Sequence, residues 1–284
     1  MTENTHEFSN EEWLSEDLHP YYRKSLKVKR KFVDEQTAYQ HLQVFETEFF
    51  GNTLVLDGII QLTERDNMGY HEMIAHVPML AVGAPKRVLI VGGGDGGSLQ
   101  QVLRYPSVQE AVVCELDQKV VDYSRKYFPL FGDPWSDPRA RLLVRDAFGY
   151  LEENPGQFDV IISDTTDPIG MAERLFSDEF YKLMVRALTP GGAATTQCEQ
   201  PFFDTELIKT IYQSAKTLVK NPAYYYAQIP TYPGGGIGFM YVSDTPWENG
   251  LKTPYPPGVN NYINPDIHRA AFAIPEFFRR ELYL

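Results

Sequence analysis

The sequence predicts an α/β protein with a doubly wound, largely parallel sheet of seven strands and a small N-terminal antiparallel β domain. Three observations predict it. From Arg87 onward, five apolar strand-like runs are each followed by a helix-like run, two further strand-like runs follow each other directly, and before residue 65 short extended runs are separated by turn-forming pairs. The 284 residues are 43% hydrophobic, which is enough for one large core or two unequal ones.

The N-terminal region, residues 1–65, is predicted to contain an arm and a β-sheet domain. The first 20 or so residues are polar and acidic, and we expect a loosely held arm or a short helix there. Alternation from Leu26 to about Gln61, with the turn pairs Gly51-Asn52 and Asp57-Gly58, predicts the antiparallel sheet. A helix is then predicted over 66–82, bent or ended by Pro78.

Residues 66–284 are predicted to form the second, larger domain. Five βα units closed by a hairpin form a Rossmann-like sheet of the seven-stranded, methyltransferase type, with one antiparallel member. The predicted strands are RVLIV, AVVCEL, RLLV, FDVIIS, GGAATTQC, YYYAQI and IGFMYVS.

The charge balance excludes several classes of partner. With 38 acidic and 26 basic residues, the net charge of −12 disfavours nucleic acid and anionic membranes and favours cationic ligands. No run reaches the roughly 18–20 apolar residues of a membrane-spanning helix, and the N-terminus lacks a signal-peptide pattern, so a cytoplasmic location is expected. Cys114 and Cys198 lie in apolar runs and are predicted to be buried free thiols.

A glycine-rich loop, Gly92–Gly97, follows the first strand of the larger domain and leads into a helix at Ser98. Glycine allows close approach to a ligand, and a helix N-terminus carries a partial positive charge. Glu115 ends the next strand, 20 residues after Asp95, where this fold places an acid that accepts hydrogen bonds from ribose hydroxyls. Together, the loop and Glu115 predict a nucleoside-binding site.

Three further acids follow strand ends in this domain. Asp146 follows the third strand, where its carboxylate is expected to accept from an adenine amino group, to cap the next helix, or both. Asp164 and Asp167 follow the fourth strand, which should flank the same crevice as the glycine loop, so they are expected to converge with Asp95. Three carboxylates in one cleft require a cation. Because no histidine–carboxylate cluster with ligand spacing accompanies them, an amine is preferred over a metal, although carboxylates alone also suit Mg²⁺.

Longer segments of the chain match a known family. The matching segments are LVLDGIIQLTERD, YHEMIAHVPML, RVLIVGGGDGGSL, FDVIISDTTDPIG, IPTYPGGGIGF and INPDIHRAAFAIP. On these motifs, the chain resembles the spermidine synthases, which are polyamine aminopropyltransferases. The resemblance implies transfer of an aminopropyl group from decarboxylated S-adenosylmethionine to an amine, usually putrescine. It also implies no metal, and a homodimer or homotetramer.

The resemblance also implies roles for particular residues. Asp164 would be the general base. The residues that would contact the nucleoside and sulfonium donor are Gln40, Asp95, Glu115, Asp146 and Ala147. The residues that would line the amine channel, together with Asp95 and Asp164, are Tyr70, His71, Asp167 and Tyr232.

Three departures from the family pattern leave the acceptor open. They are Asp66-Asn67-Met68 where the family has DEF, Met171 where proline is common, and the loosely matching segment 197–202. Agmatine, cadaverine, a longer polyamine and a donor that keeps its carboxylate therefore remain alternatives. The scaffold also suits a small-molecule methyltransferase or a non-catalytic polyamine or nucleoside sensor.

Overall fold

A computed structural model describes residues 13–168, 170–258 and 260–283 of the chain. Contacts divide the chain into two compact units, Met1–Asp66 and Asn67–Leu284. The first unit is an antiparallel sheet whose five strands lie in chain order. The strands are β1 (Trp13–His19), β2 (Tyr22–Gln36), β3 (His41–Thr47), β4 (Gly51–Leu56) and β5 (Ile59–Thr63). The predicted antiparallel β domain is confirmed.

The prediction for the N-terminal arm was wrong where it can be compared. Residues 1–12 lie outside the described residues, but Trp13–His19 is a strand and not an arm or a short helix. The alternation of this strand is hidden because an acid occupies an inward position. Glu16 is only 3% exposed, accepts the backbone amide of Ile60 at 2.7 Å and pairs with Lys24 Nζ at 2.7 Å. A buried acid with these partners is compatible with a sheet interior.

The two predicted turn pairs of the first unit differ in outcome. Asp57-Gly58 forms the turn between β4 and β5, with φ of 50° and 82°. The preceding turn instead occupies residues 48–50, and Gly51-Asn52 begins β4. The Asn52 amide donates to Glu64 Oε2 at 2.9 Å, a contact between residues 12 positions apart that the local pattern does not show.

The second unit contains a seven-stranded sheet. Its strands are β6 (Arg87–Gly92), β7 (Glu110–Glu115), β8 (Ala140–Val144), β9 (Phe158–Asp164), β10 (Leu188–Gln197), β11 (Ala223–Gln228) and β12 (Gly236–Ser243). They lie in the order β11-β12-β10-β9-β6-β7-β8. Among the described strands of this sheet, β12 runs in the opposite direction to the other six. This is the predicted Rossmann-like, methyltransferase-type sheet.

Eight α-helices occur in the described part of the second unit. They are α1 (Asn67–Val82), α2 (Gly97–Leu103), α3 (Gln118–Tyr127), α4 (Ala147–Glu153), α5 (Asp178–Ala187), α6 (Pro201–Leu218), α7 (Pro265–Ala271) and α8 (Glu276–Tyr283). Helices α2 to α6 follow the first five strands of the sheet, as predicted. The last two were not predicted. Asn264 caps α7 by accepting the amides of Asp266 and Ile267 at 3.0 and 2.9 Å.

Helix α1 continues through Pro78 to Val82, so the alternative in which the proline ends the helix was wrong. Proline removes one backbone hydrogen bond from a helix interior. Here 14 of the 16 helical residues are buried, which means that α1 is packed on all sides. We attribute the continuation of the helix to this packing, which outweighs the lost hydrogen bond.

The strand order reverses between β6 and β9, and this reversal positions the site. Gly92 at the end of β6 is paired with Asp164 at the end of β9. Val88 and Ile90 of β6 face the apolar cluster that includes α1 and α2, whereas Leu89 and Val91 face the cluster that includes α4 and α5. Because both faces of the sheet are covered, the carboxyl edge at the reversal is where a crevice is expected.

The two cysteines are free and buried, as predicted. Among the described helices, none is both long enough and apolar enough to cross a membrane.

Candidate active site

The glycine loop after β6 lies directly against the end of β9. The Gly93 amide donates to the carbonyl oxygen of Asp164 at 2.8 Å. Gly92 and Gly93 have φ of 74° and 68°, and a Cβ on Gly92 would overlap the same carbonyl oxygen. Only glycine combines this backbone conformation with so close an approach. The loop therefore brings Asp95 and the start of α2 to the crevice.

Glu115 lies beside the loop, as its position at the end of β7 predicts. Its Oε2 accepts the Gly94 amide at 3.1 Å, and its Oε1 accepts the Asp117 amide at 2.9 Å. Burial raises the pKa of Glu115 to about 7, and the amide hydrogen bonds oppose that rise. Glu115 is thus a fixed acceptor at the rim of the glycine loop.

Asp95, Asp164 and His71 form the centre of the site. His71 Nε2 lies 3.2 Å from Asp95 Oδ2, and the Gly97 amide donates to Asp95 Oδ1 at 2.6 Å. Each of the three side chains offers an atom within 4.8 Å of the others. The predicted convergence of the two carboxylates is found, and His71 joins them from α1.

The position of His71 corrects one premise drawn from residue spacing, that no histidine–carboxylate cluster accompanies these acids. His71 lies 24 residues before Asp95 and reaches it through the packing of α1 against the sheet, so no local spacing reveals the cluster. By distance alone, His71, Asp95 and Asp164 are the described residues that could hold a metal ion. The same ligand atoms suit an ammonium group, because they can accept its hydrogen bonds and an ammonium requires no fixed coordination geometry.

The charges of the three side chains are coupled. Burial disfavours the charge of Asp95, but the charge of His71 and hydrogen bonds from His71 and the Gly97 amide lower its pKa overall. Burial alone would lower the pKa of His71, yet Asp95 and Asp164 raise it above its usual value. Burial, followed by the negative charge of Asp95, raises the pKa of Asp164 to about 6. Of the two carboxylic acids, Asp164 therefore has the pKa closer to neutral pH.

Ser98 is a site residue that the sequence analysis missed. It is fully buried in the first turn of α2, and its hydroxyl donates to Asp164 Oδ2 at 2.6 Å. The only available signal was its place directly after the glycine loop, where a side chain can reach the neighbouring strand end.

A chain of polar side chains leads away from this centre. Tyr70 Oη donates to Gln197 Oε1 at 3.3 Å, and Gln197 Nε2 donates to Asp167 Oδ1 at 3.3 Å. Tyr232 packs against Tyr70, with ring centroids 5.9 Å apart. The structure thus brings Tyr70, Asp167 and Tyr232 together as the resemblance implies, and adds Gln197 as the bridge.

The remaining residues that are predicted to contact the nucleoside donor lie on different elements of the fold. Asp146 caps α4 by accepting the Phe148 amide at 3.2 Å, and its Oδ2 lies 3.4 Å from Arg174 Nη1. Ala147 is 6% exposed and belongs to the apolar cluster around α4 and α5. Gln40 belongs to the first unit, in the turn between β2 and β3, where its backbone N–H donates to Thr37 Oγ1 at 3.1 Å. The capping function of Asp146 is confirmed, whereas the donor contacts of all three stay predictions.

The departures from the family pattern lie close to the site in sequence. Asn67 begins α1, three residues before Tyr70, and Gln197 ends β10. Met171 lies in a short 3₁₀ helix, Gly170–Phe176, that follows Asp167.

The fold and the site define a class of protein. A glycine loop and a strand-end acid at the reversal of a seven-stranded sheet are typical of proteins that bind a nucleoside. The buried carboxylates beside that loop add a place for a cationic group.

Comparison with known proteins specifies the family. Residues 67–252 match the family model described as the spermine/spermidine synthase domain, and residues 12–64 match the spermidine synthase tetramerisation domain. The chain therefore belongs to the spermine/spermidine synthase family, the polyamine aminopropyltransferases.

Individual relatives agree along nearly the whole chain. A spermidine synthase from Dictyostelium discoideum is 40% identical, over 96% of this chain and 98% of the relative. A polyamine aminopropyltransferase from Thermoanaerobacter sp. (strain X514) is 43% identical, over 94% and 97%. A crystal structure of a spermidine synthase in complex with the transition-state analogue AdoDATO superposes with a TM-score of 0.92 at 34% identity, covering 96% of both chains.

Proposed function

We propose that this enzyme transfers the aminopropyl group of decarboxylated S-adenosylmethionine to putrescine, producing spermidine and methylthioadenosine, with Asp164 as general base. The observation that carries the proposal is the convergence of Asp95 and Asp164 in a buried crevice beside a nucleoside-binding loop. In this proposal residues 66–284 form the catalytic domain, and residues 1–65 contain the N-terminal β domain.

The donor would lie along the glycine loop. Glu115 would accept hydrogen bonds from the ribose hydroxyls, while Asp146 and Ala147 would contact the adenine. Asp95 would lie near the aminopropyl amine, because a carboxylate stabilises an ammonium at short range. These assignments are supported by the position of Glu115 beside Gly94.

In the reaction itself, the neutral amine nitrogen of the acceptor attacks the aminopropyl carbon bound to the sulfonium. The new C–N bond forms as the C–S bond breaks, and the bonding pair returns to sulfur, which leaves as a neutral thioether. The proton lost by the amine goes to Asp164. The leaving group needs no acid, so the required catalytic group is a base.

The acceptor amine must lose a proton before it can attack, and the free-energy cost of this step is the reason that the reaction needs a base. An alkylammonium with a pKa near 10.4 is neutral in only about one molecule in 2,500 at pH 7, a cost of about 4.6 kcal/mol. Raising the pKa of Asp164 to about 6 brings the base closer to the pKa of the amine, and most of the group is still ionised at pH 7. Burial, which is the main cause of this shift, thus improves Asp164 as a proton acceptor.

The acceptor would occupy the channel that begins at Asp164. Tyr70 and Tyr232 would pack along its methylene groups, and His71 and Asp167 would complete the polar lining. Holding the attacking nitrogen in line with the carbon should lower the activation barrier by several kcal/mol. In well-oriented intramolecular reactions, the full effect of such positioning reaches about 7–11 kcal/mol.

We also propose that the reaction uses no metal and no cofactor. The sulfonium already makes the carbon electrophilic, and the ammonium groups of the substrates supply the cations that the carboxylates require. Retained activity after dialysis against a chelator such as EDTA would support this, and activity restored only by added metal would contradict it.

Removing the Ser98 hydroxyl is expected to shift the pH profile. Its hydrogen bond to Asp164 favours the carboxylate form, so Ser98→Ala should raise the pKa of Asp164 above about 6. The base works only when ionised, so activity falls as pH falls through this pKa. The acid limb should therefore move to higher pH by about 1–2 units, since a hydrogen bond to a charged group contributes about 1.5–3 kcal/mol and one pKa unit corresponds to about 1.4 kcal/mol.

Single-turnover rates between pH 5 and 9 would measure this shift. Ser25→Ala, which changes an exposed serine on β2, is the matched control and should leave the limb unchanged. A limb that stays in place or moves to lower pH in Ser98→Ala would contradict the assignment of Asp164 as the titrating base.

Product mass spectrometry tests the proposed function directly. The enzyme would be offered decarboxylated or ordinary S-adenosylmethionine with putrescine, cadaverine, agmatine, spermidine or no amine. A gain of one aminopropyl unit by putrescine supports the proposal. Transfer only to another amine would show that this amine, and not putrescine, is the acceptor. Transfer of a methyl group would indicate a methyltransferase. Ligand binding without any product would indicate a sensor.

The oligomeric state is part of the proposal. The match of residues 12–64 to a tetramerisation domain supports a homo-oligomer, and we propose a homodimer or homotetramer. Light scattering of the purified full chain, which has a mass of 32.5 kDa, would distinguish these from a monomer. Nucleic acid and membranes are not expected as partners, and the cytoplasmic location stays a prediction.

A further inference from the structure

Glu72 is a buried acid of α1 that the proposed reaction does not use. It directly follows His71 and is only 1% exposed. Its Oε1 accepts the backbone amide of Asn261 at 2.8 Å, and its Oε2 accepts the amides of the next two residues at 2.9 and 2.8 Å. Hydrogen bonds to an ionised acceptor are about twice as strong as those between neutral groups. Glu72 therefore binds α1 firmly to residues 260–263, which we call the connecting segment.

The connecting segment also contacts the end of α2. Asn260 Oδ1 accepts from Arg104 Nη2 at 2.7 Å, and Arg104 is the residue that directly follows α2. The opposite end of α2 begins at Gly97, where the helix packs closely against His71. A Cβ on Gly97 would lie 2.5 Å or less from three ring atoms of this histidine. The connecting segment therefore links the two helices that meet at the centre of the site.

The rotation of α1 about its own axis determines where its site residues lie. Tyr70 and His71 contact Gln197 and Asp95, whereas the next residue, Glu72, contacts the connecting segment. Most buried side chains of α1 belong to an apolar cluster, and apolar packing is not directional, whereas hydrogen bonds are. Because side chains extend about 5–6 Å from a helix axis, a rotation of about 10° would move their outer atoms by about 1 Å. The hydrogen bonds of Glu72 oppose such a rotation.

We propose that Glu72 is a positioning residue for the transfer reaction: by binding the connecting segment, it fixes the rotation of α1 and thereby holds His71 against Asp95 and Tyr70 in the acceptor channel. The inference rests on the proposed function, because it concerns the geometry of the same site. Both oxygens of Glu72 already accept backbone amides, so it acts through α1 and not on a substrate. The glycine loop and Glu115 lie on other elements, so donor affinity should not depend on Glu72.

The test replaces Glu72 by glutamine, which has nearly the same shape but places an NH₂ group against a backbone amide that the carboxylate accepts. We expect kcat to fall about 10- to 100-fold, because a misplacement near 1 Å costs about that much. Methylthioadenosine should bind within about threefold of wild type. A crystal structure of the variant should show the imidazole of His71 displaced by about 1 Å. Glu72→Asp, which keeps the charge, should restore part of kcat.

Asp159→Asn is the matched control for a general loss of stability. Asp159 Oδ2 accepts the backbone amides of Lys86 and Arg87 at 2.8 and 3.0 Å, and its Oδ1 accepts Thr189 Oγ1 at 2.9 Å. These contacts lie near the starts of β6 and β9, at the edge of the sheet opposite the site. This variant should lower Tm about as much as Glu72→Gln and leave kcat within about twofold. An equal fall of kcat in both variants would overturn the proposal.

The crystal structures keep this proposal separable from the proposed function. If wild type transfers no aminopropyl group but His71 moves in Glu72→Gln and not in Asp159→Asn, the proposed function fails and the positioning of His71 by Glu72 stands. If transfer is normal and Glu72→Gln keeps kcat within twofold, or leaves His71 in place, the positioning is wrong. Should Glu72→Gln fail to fold, Asn260→Ala replaces it, because it removes the link to α2 and leaves Glu72 intact. Its kcat should also fall, and an unchanged kcat would contradict the proposal.

Discussion

Replacing Asp164 by asparagine is expected to lower the single-turnover rate by about two to four orders of magnitude, which is the usual contribution of a positioned general base. Asparagine has nearly the same shape and still accepts the Ser98 hydrogen bond, so the packing at the end of β9 should persist. It cannot accept a proton from the acceptor amine. The rate with saturating donor and amine, measured by product mass spectrometry, gives the effect.

Binding of methylthioadenosine at the donor site distinguishes loss of the general base from a structural disruption of the active site. Methylthioadenosine should bind Asp164→Asn within about threefold of wild type, because the glycine loop and Glu115 are unchanged. The control variant Asp266→Asn, at a side chain that is 95% exposed on α7, should retain full activity. A rate within threefold of wild type in Asp164→Asn would remove Asp164 from its proposed role.

Replacing Gly97 by alanine is expected to disrupt the site through packing rather than through chemistry. The new Cβ would lie 2.5 Å or less from three ring atoms of His71, and His71 is only 2% exposed, so its imidazole has no open space to enter. The Gly97 amide also holds Asp95, and a shift of α2 would lengthen that hydrogen bond. We expect a fall in activity of at least about 10²-fold, the usual cost of a misplacement near 1 Å.

The same substitution should lower stability. Overpacking a filled interior costs about 1–3 kcal/mol, which would appear as a fall of several degrees in Tm. Gly149→Ala, in α4, is the control, because the nearest atom to its new Cβ is the mobile end of Arg145 at 3.3 Å and alanine favours the helix. The double variant Gly97→Ala/His71→Ala should recover Tm without activity. Failure of that recovery would show that the clash with His71 is not the cause.

Much of the fold was predictable because each element has a local pattern. Val88 to Val91 is a continuous apolar run that predicts a buried strand, and the glycines after it predict the loop. The acids at 115 and 164 follow strand ends, and parallel strands place their carboxyl ends on one edge. Those local patterns were sufficient for the seven-stranded sheet and for the meeting of Asp95 with Asp164.

Other features had no local signal. The strand at Trp13–His19 was missed because Glu16 occupies an inward position, and that position is stabilised by Ile60 and Lys24, which come later in the chain. Helix α1 continues through Pro78 because surrounding elements pack against it. In both cases, tertiary contacts outweigh the local preference.

The amino-acid sequence by itself determined the order of the strands and helices, the glycine loop and the edge of the sheet at which the acids lie, because these depend on residue spacing over short stretches. The tertiary structure alone decided that His71 joins Asp95 and Asp164, that Ser98 contacts Asp164, and that Gln197 links Tyr70 to Asp167. Those contacts join residues 24 to 127 positions apart. Such distances are closed only when the helices pack on the sheet, and that packing also sets the burial that raises the pKa of Asp164.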